Sequence, residues 1–189
     1  GKKLTDAIQE SIGESKIIAE DLGLVVQSVR DLMDETGWPG MKIMQFAFDG
    51  SNVNSNLPHT YTNSNVLVYG GTHDNETLVG FFDGLEEEDM EYAYKYLGVS
   101  SKKEVPRAVI RSAYASTADV AIMQMQDILE LDNTARMNLP SSVGQNWRWR
   151  LLPGQFAEEH MDWLKDLAET YGRELDKPEI QEETGAEEE

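Results

Sequence analysis

The chain has 189 residues, 40% of them hydrophobic and 27% charged, which is enough to bury a substantial core in one domain or at most two. Its formal net charge of −19, from 16 basic against 35 acidic residues, argues against a nucleic-acid partner and against docking on an anionic membrane, since both need Lys and Arg clusters. The absence of cysteine excludes a disulfide framework, thiolate chemistry and Cys-based metal sites.

About half of the charge excess lies late in the chain, where thirteen acidic residues face three basic ones from Glu158 onward. No apolar run approaches the ~20 residues of a membrane span, and no signal peptide is visible, so the expected localisation is cytoplasmic. The chain opens Gly1-Lys2-Lys3 rather than with Met, which reads as a processed, engineered or truncated product.

In chain order, Leu4, Ala7, Ile8 and Ile12 have helical spacing and stop at Gly13. Lys16-Ile17-Ile18-Ala19 reads as a first strand, ending in Glu20-Asp21. A second helix is predicted from Ser28 to Thr36, stopped by Gly37 and Pro39. Met41 to Phe46 reads as the second strand, and the Asn- and Ser-rich segment 51–65 as a surface loop. Val66 to Tyr69 is the third strand, running into Gly70-Gly71-Thr72-His73-Asp74-Asn75.

Helices are expected over Glu87–Leu97 and Lys103–Ala115, the second capped by Ser101 with Glu104 three residues on. Ala118–Met125 is ambiguous by periodicity, and its place in the series favours a fourth strand. A short helix over Asp127–Leu131, an irregular stretch over Arg136–Arg150 and an amphipathic helix over Phe156–Tyr171 follow. The acidic end from Pro178 is predicted to be disordered. Four short apolar strands alternating with helices imply a parallel sheet covered by helices. A full (β/α)₈ barrel needs about 250 residues and eight strands, so the pattern fits a small open α/β sheet or half of a barrel.

Each expected strand ends in a polar cluster: Glu20 with Asp21, Gln45, His73 with Asp74, and Gln126 with Asp127. In parallel α/β folds that edge is where sites are built. Taken alone, Thr72-His73-Asp74-Asn75 reads equally as a turn, because Asp and Asn bond their own backbone. Its position on the shared edge favours function. Glu20 and Asp74 have the chemistry of paired glycosidase carboxylates, although Glu20 alone fits a capping or salt-bridged carboxylate as well. A metal site of His73, Asp74 and Glu20 is the weaker reading: His59 lies in a loop, His160 in the last helix, and no His-x-His or His-Glu-x-x-His spacing occurs. Trp147 and Trp149 are either sugar-stacking rings or a packing ledge.

Five stretches together resemble the 4-alpha-glucanotransferases of glycoside hydrolase family 77. They are Ile17-Ile18-Ala19-Glu20-Asp21-Leu22-Gly23, Gly37 to Phe48, Gly71-Thr72-His73-Asp74-Asn75, Arg136-Met137-Asn138-Leu139-Pro140 and Asn146-Trp147-Arg148-Trp149-Arg150. The resemblance runs from about Ser15 to Leu152. It implies the C-terminal half, about strands 5–8, of a (β/α)₈ barrel in residues 1–175; the acidic tail, 176–189, lies outside the resemblance. It also implies retaining transfer of α-1,4-glucan segments with no organic cofactor, acting on maltodextrins and starch-derived oligosaccharides.

Carried over by position, the resemblance makes Glu20 the general acid/base, Asp74 the transition-state carboxylate, His73 its sugar-binding neighbour and Asn138 a glucan contact. Gln45, Phe46, Asp127 and Trp147 match the surroundings of the glucan groove. The chain departs from the family at Ser141-Ser142, where many members have Gly-Thr. It also lacks a counterpart of the nucleophilic aspartate preceded by an arginine two residues earlier, since Asp6 lies in a helical pattern without that arginine. The expected open edges of a half barrel invite pairing with the missing half or with a second copy.

Overall fold

In the computed structural model, residues 1–13, 17–23 and 25–174 are described. Ser15, Lys16 and the acidic tail from 176 lie outside them. Three parallel strands form one sheet in the order β1-β2-β3: β1 Gly40–Ile43, β2 Val66–Tyr69 and β3 Val120–Ile122. Gly40 lies opposite Val66, and Leu67 opposite Val120. The helices are α1 Lys2–Ile12, α2 Gln27–Thr36, α3 Leu78–Asp83, α4 Glu87–Leu97, α5 Val105–Tyr114, α6 Met125–Ile128 and α7 Glu158–Thr170.

The core lies between the sheet and α3, α4, α5 and α7. On α5 the buried residues Val105, Val109, Ile110 and Ala113 recur at helical spacing and make one apolar stripe. They meet Val68 of β2, Phe82 of α3, Ala93 of α4 and Leu167 of α7, all fully buried. Phe48 meets Phe82 edge-on at 5.3 Å between ring centres. The Ser101–Glu104 capping box forms as expected, Glu104 Oε2 accepting from the Ser101 N–H at 3.0 Å.

Four departures from the sequence reading have local causes. The first expected strand joins no ladder among the described residues. Ala19 N–H donates to Pro39 O at 2.9 Å. The ladder's next bond would take the Met41 N–H, which the Asp21 carboxylate accepts instead at 2.7 Å. β1 ends at Ile43 because Met44–Ala47 tightens into a 3₁₀ turn, which leaves Phe46 exposed and Gln45 buried. Helix α3 was not anticipated. Its signal is Thr77, whose hydroxyl accepts the Gly80 N–H at 3.1 Å as an N-cap. Finally, helices cover one face of the sheet, while Val120 and Ile122 remain 43% and 39% exposed on the other. That open face carries the site.

Candidate active site

A cleft of about 390 Å³ lies over the C-terminal ends of the strands, lined by Glu20, Tyr69, Gly71, Thr72, His73, Gln124 and apolar neighbours. Its central loop leaves β2 through Gly70 and Gly71, both buried. A side chain at Gly71 would place its Cβ 2.6 Å from Gln45 Nε2, so any larger residue would push the Gln45 amide off its hydrogen bond to Glu76 O. Gln45 uses that proximity: its Nε2 donates to Glu76 O at 2.7 Å, and its backbone N–H to Gly70 O at 3.1 Å.

The loop closes on itself through Asn75, whose Oδ1 accepts both the backbone N–H and the hydroxyl of Thr72 at 2.8 Å. The turn read from the sequence is present, and it is what presents His73 and Asp74 to solvent. Each of their side chains is about half exposed, with His73 Nε2 3.4 Å from Asp74 Oδ1.

A second loop grips the first. Asn138 Nδ2 donates to Asp74 Oδ1 at 2.6 Å, and the Asn138 N–H to His73 O at 3.1 Å. Arg136 donates from Nη2 to Asp74 O at 2.6 Å and from Nε to Asn138 O at 2.9 Å, with Nη1 3.6 Å from Glu76 Oε1. Trp147 lays its ring 5.0 Å from the His73 ring, and the Trp147 backbone N–H donates to Met137 O at 2.7 Å. Its φ of 64° is unusual for so bulky a residue, and strain of this kind persists only where surrounding contacts fix it.

The eight sequence-predicted residues thus fall into three groups. His73, Asp74, Asn138 and Trp147 form one contiguous set, and Glu20 lines the cleft together with His73. Burial raises the Tyr69 hydroxyl, which lines this cleft, above its ordinary pKa, with the Glu20 charge adding to the effect. Gln45 and Asp127 lie beneath the loop, 3% and 0% exposed. Phe46, 42% exposed, lines a different depression, with Asp21, Lys42 and Asn56.

Asp127 supports the loop from below. Its Oδ1 accepts the Leu78 N–H at 2.7 Å at the start of α3. Its Oδ2 makes no hydrogen bond among the described residues. Burial pushes its carboxyl up to about 7, against a weaker opposite pull from the Leu78 N–H.

Two cleft residues escaped the sequence reading. Gln124 donates to Thr72 O at 3.0 Å. Its signal was the strand end, which falls at Ile122 rather than Met125. Tyr69 closes β2 and was read only as a strand residue. Among the described residues, no group of three or more His, Cys, Asp or Glu side chains could hold a metal ion, and no helix is long and apolar enough to cross a membrane.

Comparison with known proteins agrees with the sequence resemblance and extends it. A family model described as 4-alpha-glucanotransferase matches residues 1–168, beginning earlier and ending later than the 15–152 span read from motifs. The chloroplastic/amyloplastic 4-alpha-glucanotransferase of Arabidopsis thaliana is 45% identical over 177 residues, 92% of this chain and 30% of that protein. The 4-alpha-glucanotransferase of Thermus thermophilus is 41% identical over 179 residues, 92% of this chain and 36% of that one. The solved amylomaltase from Streptococcus agalactiae in complex with acarbose superimposes with a TM-score of 0.87 at 37% identity, covering 92% of this chain and 35% of that one. The chain spans about a third of the length of the relatives it matches. It belongs to the 4-alpha-glucanotransferases of glycoside hydrolase family 77.

Proposed function

We propose that this chain carries the acid/base and transition-state side of an α-1,4-glucan transfer site, within the C-terminal half of a (β/α)₈ barrel. The observation that carries the reading is the Asp74 carboxylate. It is half exposed at the mouth of parallel strands, oriented by Asn138 Nδ2 at 2.6 Å and flanked by His73 at 3.4 Å, beside a cleft that Glu20 also lines.

A glycosidic bond breaks through a transition state with oxocarbenium character, which a fixed carboxylate stabilises while a carboxylic acid protonates the leaving oxygen. Asp74 has the first role and Glu20 the second. His73 and Asn138 hold the sugar hydroxyls, and the exposed Trp147 ring offers a face to the sugar's C–H surface. Gln45 and Asp127 act from below, by shaping the loop. The substrates are maltodextrins and starch-derived oligosaccharides, in the cytoplasm, without a cofactor. The match to the Streptococcus agalactiae amylomaltase over 92% of the chain supports both the barrel assignment and the glucan substrate.

Retention of configuration further requires a nucleophilic carboxylate about 5–5.5 Å from the acid/base. These 189 residues supply no counterpart of the family's aspartate, so the reading assigns it to a segment outside them. The outer edges of β1 and β3 then become pairing surfaces, for that segment or for a second copy. Elution from a sizing column as a 21.3 kDa monomer contradicts pairing with a second copy.

Incubation with maltotriose separates the possibilities. No turnover, with tryptophan fluorescence quenched by maltoheptaose, supports a partial site that binds glucan. Glucose plus longer maltodextrins from the isolated chain refutes the absence of the nucleophile. Neither signal refutes the site and leaves a structural module.

A further inference from the structure

The three donor groups of Arg136 go to three different places, and none is the Asp74 carboxylate. Nη2 and Nε donate to the main-chain carbonyls of Asp74 and Asn138, and Nη1 faces Glu76 Oε1 at 3.6 Å. The partner of the Asp74 carboxylate is instead the neutral amide of Asn138, with His73 alongside. We propose that Arg136 is a positioning residue, gripping the backbone on both sides of the Asn138–Asp74 hydrogen bond so that Asp74 is fixed without losing its negative charge. The proposal rests on the reading of Asp74 as the transition-state carboxylate.

The chemistry explains the choice of side chain. A carboxylate meant to stabilise a developing cation is most useful when no permanent cation cancels it. Orienting it through a neutral amide leaves the charge available. The amide must then be fixed by something else, and the guanidinium does this through carbonyl oxygens. The Glu76 carboxylate, 3.6 Å from Nη1, offsets the guanidinium's charge. Glu76 is tethered in turn, since its own carbonyl accepts from Gln45. Only a planar fork with separate donors can hold two carbonyls and a carboxylate at once. A lysine offers one compact charge on a flexible stem.

Two loops distant in sequence are joined here at one residue. Arg136 and Asn138 belong to the stretch after α6, and Asp74 and Glu76 to the stretch after β2. Apart from Arg136, the two Asn138 bonds to Asp74 and His73 join them here, with the Trp147 ring against His73 and the Thr77 N–H on Asn133 Oδ1 further out. Removing the fork therefore frees the carbonyl of Asp74 and the chain that carries Asn138 together.

The test is Arg136→Lys in the 189-residue chain, read by NMR from the Asn138 side-chain amide. In the parent chain that amide pair is expected to be dispersed and slow to exchange, because one proton is held by Asp74. In Arg136→Lys it moves to the solvent-exposed position, matching the spectrum of Asp74→Asn, while the methyl signals of Val68 and Val109 stay in place. An Asn138 amide unchanged in Arg136→Lys overturns the proposal. So does a change that spreads to the core methyls, because the arginine is then merely structural. Where a form of the protein transfers glucosyl units, Arg136→Lys is expected to lower kcat about tenfold to a hundredfold, with KM within about threefold and no further loss in an Asp74→Asn background. An additive loss there also overturns it. Failure of the parent chain to bind or transfer glucan sinks the proposed function and leaves the Asn138 signal to decide this point separately.

Discussion

Replacing Asp127 by Asn tests how the loop is supported. Asp127 is fully buried, with one oxygen on the Leu78 N–H and the other without a hydrogen bond among the described residues. An amide keeps the acceptor and removes the ionisation. Burial raises the carboxyl from its ordinary 3.8 to about 7. The folded-state value thus lies above the unfolded one, so the folded chain holds the extra proton between the two. Stability from this group is fully present below 3.8 and is lost as pH rises through about 7.

At 1.36 kcal/mol per decade of proton affinity, the whole interval is worth at most about 4 kcal/mol, and about 3 kcal/mol of it falls between about pH 5 and 8. Urea unfolding, followed by tryptophan fluorescence at several pH values, reads this directly. The parent chain should lose more stability than Asp127→Asn over that range. Burying the amide adds an offset, of about 1–3 kcal/mol if the new N–H₂ stays unpartnered, but that offset does not vary with pH. Parallel stability–pH curves for the two proteins refute the reasoning.

Other substitutions probe the neighbouring supports. Gly71→Ala forces its Cβ to 2.6 Å from Gln45 Nε2. It should cost about 1–3 kcal/mol and weaken maltoheptaose quenching, both seen by fluorescence. Ser141 has φ 61°, a conformation that glycine accepts freely. Ser141→Gly should relieve about 1–2 kcal/mol of strain against about 0.5–1 kcal/mol of added chain entropy, for a small net rise in melting temperature; a fall contradicts it. Phe82→Ala, in the fully buried centre beside Phe48, should cost about 3–5 kcal/mol by urea unfolding, and a smaller cost places the core elsewhere.

The elements legible in the sequence were those whose pattern is local. The 87–97 helix has the same ends in the sequence reading and the structure, because an acidic first turn and helical apolar spacing lie within it and Gly98 caps it directly after. Val66–Tyr69 is a run of apolar and aromatic residues bounded by Asn65 and Gly70, and it forms over the same four residues. The first expected strand has a comparable apolar run in Ile17-Ile18-Ala19. Among the described residues it joins no ladder, because Asp21, just beyond it, takes the Met41 N–H. That competition depends on two segments twenty residues apart, and no periodicity reports it.

The site shows the same division. His73 and Asp74 could be singled out as a loop at a strand end, and the motifs brought in Asn138 and Trp147. Sequence could not tell which of the remaining residues face the cleft. Gln45 and Phe46 are adjacent, yet the 3₁₀ turn sends one under the loop and the other into a separate depression. Asp127 looked like one more polar residue at a strand end until the fold put it under α3.

The account depends most on Glu20, His73, Asp74 and Asn138 belonging to one glucan-binding surface. Titrating the 189-residue chain with maltoheptaose, while following backbone and side-chain amide signals, tests this directly. The account predicts that the signals that move belong to Glu20, Gly71, His73, Asp74, Asn138 and the Trp147 indole, and that Asp74→Asn weakens the response. Shifts confined to the Phe46 and Lys42 depression, or a folded chain whose spectrum does not respond to maltoheptaose, contradict it.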